Sequence, residues 1–130
     1  MVTIVDPNGT PTPIYTRSGT TFETVAGNGT TQGAATQIVS VAGWTVVLVT
    51  MTNDPDNRAV KLPENAPIGD VVEVYANGAE GSAATVFAAS GDTLFNSGTG
   101  SPAFVSVTRN TGGTLFRKVT ATEWRFIGAS

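Results

Sequence analysis

From about residue 36 onward, apolar and β-branched residues recur at every second position, broken at short intervals by Gly, Pro, Asn and Asp. Residues 44–51 are the clearest case. Trp44, Val46, Leu48 and Thr50 fall on one face of an extended strand, and Thr45, Val47, Val49 and Met51 on the other. Apolar residues on both faces predict burial on both sides. Residues 39–41, 60–62, 71–75, 83–88, 93–95 and 104–108 read as further strands, and residues 114–127 as one or two more. Between them lie turn signatures: Asn53-Asp54-Pro55-Asp56-Asn57, Asn65 through Asp70, Ser90-Gly91-Asp92, and Asn110 through Gly113, the last read as a hairpin turn. Gly or Pro interrupts nearly every window that could hold a helix. Turn signals spaced about 8–12 residues apart predict an all-β fold of roughly seven to nine short strands. The expected architecture is a small antiparallel sandwich or barrel, either jelly-roll or tripod-like.

The first 36 residues differ. They are Gly, Thr, Pro, Asn and Ser with scattered apolar residues, and their only charges are Asp6, Arg17 and Glu23. A segment so poor in clustered apolar residues cannot offset its own ordering entropy. It reads as an extended polar N-terminal arm (residues 1–36) ahead of a β domain (37–130), either ordered against something else with the isolated Tyr15 and Phe22 as anchors, or a flexible tail. The β domain is small, yet Phe87, Phe95, Phe104, Phe116, Trp124 and Phe126 must all be covered. Self-association would cover them and hide sheet edges as well.

Composition narrows the chemistry. Of the 130 residues only 13% are charged, and neither Cys nor His occurs. Disulfide scaffolds, thiol nucleophiles, histidine metal sites and Ser-His-Asp hydrolases are excluded. A net charge of −3 argues against nucleic acid as a partner. Met1 through Pro7 has neither the basic nor the apolar region of a signal peptide, and Val46-Val47-Leu48-Val49 is too short to span a bilayer, so no membrane partner is expected. Asp54-Pro55-Asp56-Asn57 opens like an acidic calcium loop. Its sixth position is Ala59 and its twelfth Asn65, where such a loop needs Gly and Glu, and no metal or other cofactor is expected. Asp70, Glu73, Asp92 and Glu123 sit beside turns or strand ends as ordinary solvated acids, and no spacing singles out a catalytic pair. Arg58 with Lys61, and Arg109 with Arg117, Lys118 and Arg125, read as solvent-facing or edge-guarding residues.

One run of motifs carries a resemblance. Val60-Lys61-Leu62-Pro63-Glu64-Asn65-Ala66-Pro67-Ile68-Gly69-Asp70-Val71-Val72-Glu73-Val74-Tyr75 is followed by Ala84-Thr85-Val86-Phe87-Ala88-Ala89-Ser90-Gly91-Asp92-Thr93-Leu94-Phe95-Asn96, and then by Val119-Thr120-Ala121-Thr122-Glu123-Trp124. In the first of these, Leu62 can enter a core while Pro63 ends its strand. This order of motifs resembles the small β-rich structural domains of tailed-bacteriophage virions, most of all capsid decoration (cement) and head-fibre proteins. The resemblance covers roughly residues 38–127. It implies a non-catalytic homotrimer, made in the host cytoplasm, that binds the major capsid protein on the outer capsid surface and stabilises the shell. Ile4, Ile14, Tyr15 and Phe22 are then the capsid-binding contacts of the arm. Phe95, Phe104, Trp124 and Phe126 form the core or the trimer interface, with Trp124 and Phe126 on one face of a strand and Glu123 and Arg125 on the other. The alternative is a head-fibre or tail-fibre tip that binds a host-surface receptor or glycan through a groove lined by exposed aromatics such as Tyr75. An enzyme is the third and weakest reading.

Overall fold

The computed structural model of the protein describes residues 2–5, 11–14, 20–39, 43–51, 56–78, 82–95, 103–109 and 112–127. The chain is all-β, and no α-helix occurs among the described residues. Strands β1 (Val2–Val5) and β2 (Pro11–Ile14) pair antiparallel with each other, Val2 opposite Ile14. The remaining strands are β3 (Thr20–Ala26), β4 (Thr36–Gln37), β5 (Trp44–Thr50), β6 (Ala59–Lys61), β7 (Val71–Asn77), β8 (Ala83–Phe87), β9 (Thr93–Leu94), β10 (Phe104–Thr108), β11 (Thr114–Lys118) and β12 (Glu123–Ile127). They build a six-stranded sheet of order β3-β5-β7-β11-β12-β9 and a four-stranded sheet of order β10-β8-β6-β4.

Both sheets are mixed, which corrects the expectation of an antiparallel sandwich or barrel, jelly-roll or tripod-like. From β3 to β8 the chain alternates between the two sheets, and each strand lies parallel to the one before it in its own sheet. Parallel neighbours need a crossover. Here the crossover is a strand of the opposite sheet, so each β-strand pair forms one coil of a solenoid-like stack. One coil runs from Thr20 to its ladder partner Trp44, and the next from Trp44 to its partner Val71. The later strands turn the pattern round. β10 runs antiparallel to β8, β11 to β7, and β12 to β11, and these strands close the stack at its C-terminal end. The hairpin expected at residues 110–113 is not formed, since β10 and β11 lie in different sheets; residues 110 and 111 themselves lie outside the described residues.

Alternation fills the space between the sheets. Thr45 stands opposite Val72, Val72 opposite Phe116, and Phe116 opposite Phe126. Val47 and Val74 form the next inner row, and Val25 and Val49 the one after. Val60, Val86 and Val105 line up across the four-stranded sheet. All are buried except Phe126, which is partly buried against the same core, and Trp124 closes the core fully buried. Leu62 is buried, as the Leu-Pro element predicts, with β6 ending just before it. Stacking is tight at the first corner. The Gly27 amide donates to the Thr50 carbonyl, and a Cβ on Gly27 would lie 2.9 Å from the Arg58 backbone.

Three further expectations are revised. Residues 20–36, assigned above to the arm, contain β3, whose whole length is in ladder register with β5. Residues 39–41 are not seen as a strand: β4 ends at Gln37 and Val39 is exposed, while residues 40 and 41 lie outside the described residues. Strand β5 is buried on one face only. Thr45, Val47 and Val49 point inward, whereas Val46 and Leu48 are half-buried and Trp44 is exposed, because no third layer covers the six-stranded sheet among the described residues.

The inner row also holds a defect. The Thr45 hydroxyl is buried with no hydrogen-bond partner among the described residues. Replacing an unsatisfied buried hydroxyl by a methyl of the same shape removes a desolvation penalty. Thr45→Val is expected to raise the stability by about 1 kcal/mol, read as a higher midpoint with unchanged slope in urea unfolding.

Candidate functional site

Two polar clusters lie on the six-stranded sheet, one on each face. The inner one is built by β11, β12 and the turn before β9. The Lys118 side chain is only 2% exposed, its Nζ lies 2.8 Å from Asp92 Oδ2, and Trp124 Nε1 donates to the same oxygen at 3.0 Å. The ammonium sits 5.4 Å from the Trp124 ring centroid. This corrects the solvent-facing reading of Lys118 and the solvated reading of Asp92. Register explains the meeting: Lys118 is the cross-strand partner of Trp124, and Trp124 of Leu94, two residues beyond Asp92. A buried charge pair with a third donor on its carboxylate is a structural clasp, since each group is neutralised by the other.

The outer cluster faces solvent. On β7, alternation sends Val72 and Val74 inward and Glu73 and Tyr75 outward. Trp44 Nε1 donates to Glu73 Oε1 at 2.6 Å, and the Tyr75 hydroxyl donates to Glu73 Oε2 at 2.7 Å. One carboxylate thus holds two aromatic side chains from neighbouring strands in place. No Lys or Arg among the described residues lies within ion-pair distance of Glu73. Tyr75 ionises above its usual value of 10.0, first because its hydroxyl donates to Glu73, then through partial burial and the repulsion of that carboxylate. Beside the pair is a groove of about 270 Å³ lined by Glu73, Tyr75, Gly112, Gly113, Thr114, Leu115 and Ile127. Its floor depends on a glycine. Gly113 has φ of +106°, and a Cβ there would lie 2.6 Å from the Tyr75 ring. Glycine therefore lets the ring lie directly on the backbone.

Around the cluster the outer face carries exposed apolar side chains among polar ones. Phe22 on the edge strand is 63% exposed, and it shares a row with Val46, Glu73, Leu115 and Ile127, the last 73% exposed. Phe95 is 48% exposed, with the Arg125 guanidinium 4.2 Å above its ring. Residues singled out from sequence are thus spread over the molecule. Trp124 lies in the core and Phe126 packs against it, on the same side as Lys118. Phe95 and Phe22 lie on the outer face of the six-stranded sheet. Phe104 lies on the outer face of the other sheet, 47% exposed and edge-on to Phe87 at 5.7 Å. Ile4 and Ile14 fall on β1 and β2, and Tyr15 lies outside the described residues. Among the described residues no group of three or more acidic residues could hold a metal, and no helix is long and apolar enough to cross a membrane.

Of this outer site, sequence reasoning picked out Tyr75 and Phe22 but missed Glu73 and Trp44 as its centre. The available signal was the i, i+2 placement of Glu73 and Tyr75 on one strand. What joins them to Trp44 is the parallel ladder between β5 and β7, two strands well separated along the chain. No family model, curated protein or solved structure matches the chain.

The Tyr75 hydroxyl donates only while protonated. Its pKa is raised on folding, so the stabilisation from this contact is complete below the ordinary pKa near 10 and is lost as the pH rises through the folded value. In an ultraviolet titration of phenolate formation, Glu73→Gln is expected to lower the midpoint of Tyr75. Gly113→Ala should do the same by pushing the ring off its carboxylate.

Proposed function

We propose that the chain is a non-catalytic structural protein of a tailed-phage virion, a decoration-type subunit that binds the major capsid protein on the outer surface of the shell as an assembly of its own copies. The observation that carries this reading is the outer face of the six-stranded sheet. Phe22, Trp44, Tyr75 and Ile127 all stand exposed on that face, and Trp44 and Tyr75 are both hydrogen-bonded to one carboxylate. Large apolar and aromatic side chains left exposed together on one sheet face mark an interaction surface. The motif order from Val60 to Trp124 supplies the virion context. Among the described residues that line the groove Glu73 is the only acid, and both its oxygens already accept a hydrogen bond, which favours binding over acid-base hydrolysis. Several copies on one assembly, each making a modest contact with the shell, would hold it by avidity, and binding to the expanded shell alone would stabilise that state by mass action.

The groove beside Tyr75 favours a second reading, a fibre-tip module that takes a glycan between the ring, the Glu73 carboxylate and Ile127. Co-sedimentation separates the two. Under the first reading, the protein pellets saturably with empty shells assembled from the major capsid protein of the same virus, raises their melting temperature, and ignores host cell envelopes. Binding to envelopes but not to shells, abolished by Tyr75→Ala, would replace the first reading by the second.

A further inference from the structure

The carboxylate of Glu73 stands in an apolar, aromatic surface with two neutral donors and no counter-ion among the described residues. A second unpaired charge lies on the same face. Arg117 is exposed and makes no ion pair among the described residues. Glu73 is the cross-strand partner of Leu115, and Val71 of Arg117, so Glu73 and Arg117 lie diagonally across adjacent strands. Trp44 lies in the row of Arg117, one strand to one side, and Ile127 lies in the row of Glu73, one strand to the other. The line from Trp44 to Ile127 therefore passes midway between Glu73 and Arg117. For strands about 4.8 Å apart and a rise of about 3.4 Å per residue, it crosses the line joining them at nearly a right angle.

We infer that this face pairs with the same face of a second copy of the chain about a two-fold axis lying along the Trp44–Ile127 diagonal. This rests on the self-association proposed above, and it sets two-fold pairing in place of the homotrimer that the motif resemblance implies. A two-fold contact must be self-complementary, each residue meeting its symmetry-related position. The Trp44–Ile127 axis satisfies that requirement. Trp44 meets the partner's Trp44, Ile127 meets the partner's Ile127, and Glu73 meets the partner's Arg117 twice. Packed sheet faces lie about 10 Å apart, a gap that a Glu and an Arg side chain span together. The hydrogen bonds from Trp44 and Tyr75 already fix the carboxylate, so little further ordering is needed to accept the guanidinium. Arg117 could instead swing to Glu73 of its own chain, since diagonal neighbours are about 7–8 Å apart. That contact would not change the mass of the protein.

The test is sedimentation equilibrium of the full chain over a dilution series, for wild type, Glu73→Arg, Arg117→Glu and the double exchange. The wild type is expected to be a reversible dimer. Each single exchange places like charges against each other and should weaken pairing by about tenfold or more. The double exchange should recover most of the loss. Ile127→Lys sets two ammonium groups together on the axis and should also dissociate the pair. It is a surface change near the end of β12, which keeps the test valid if an exchange variant fails to fold. A monomeric wild type, a trimeric mass, or single exchanges that leave the dimer intact would overturn the inference. A dimer that behaves as expected but never binds shells would overturn the decoration reading and leave the pairing standing.

Discussion

Everything in this chain depends on one coil stacking on the next in register. A coil of two short strands has no core of its own. It becomes stable only when its inward residues meet those of the facing strand and of the coils above and below. Because side chains alternate with a period of two, a slip of one residue would move Val47, Val49, Val72 and Val74 from the core to the surface together. Register is therefore held by the whole inner face at once. The corners must agree with it, and at Gly27 the chains approach so closely that only glycine fits without displacing the backbone of Arg58.

A stack of parallel coils leaves an open end. At the C-terminal end the chain reverses direction, and β10, β11 and β12 add antiparallel strands to both sheets. Short β9, which precedes these strands in the chain, lies parallel to β12 at the far edge. The Lys118–Asp92–Trp124 clasp ties this edge down. A buried ion pair is not itself a strong source of stability, because desolvation opposes the Coulomb gain. What it supplies is specificity: any other register for β11 or the turn before β9 would leave a buried charge alone.

The strands themselves were legible in the sequence. Strands β5, β7, β8, β10, β11 and β12 all fall in stretches of apolar and β-branched residues between turn signals, and the structure places them within a few positions of expectation. Strand β3 was hidden because Val25 alone among its residues is buried, and its Thr-rich pattern reads as loop. Pairing was not legible at all. The coil from Thr20 to Trp44 and the coil from Trp44 to Val71 differ in length and carry no shared motif. Alternation could therefore show which residues face inward but not which strand lies beside which. The same gap hid both polar clusters. Lys118 in an alternating strand looks like a solvent-facing lysine until Asp92 and Trp124 are brought beside it, and Glu73 looks like an ordinary exposed acid until Trp44 arrives from the neighbouring strand.

The two carboxylates show how position decides what a charge can do. Asp92 is taken out of water, so its neutralising cation must come from within the chain, and Lys118 is held there by the fold. That pair is closed to any outside group. Glu73 remains at the surface, where water offsets its charge at no cost to folding, and its neighbours are neutral donors that orient the carboxylate without cancelling it. An oriented, uncancelled charge in an apolar setting costs little while solvated but becomes costly once the face is covered. Covering it therefore selects for an occupant that brings a cation to that point and apolar surface around it. Of the described basic residues on this face, Arg125 is already engaged with Glu123 and stacked on Phe95, and Arg117 is the one left to meet that demand.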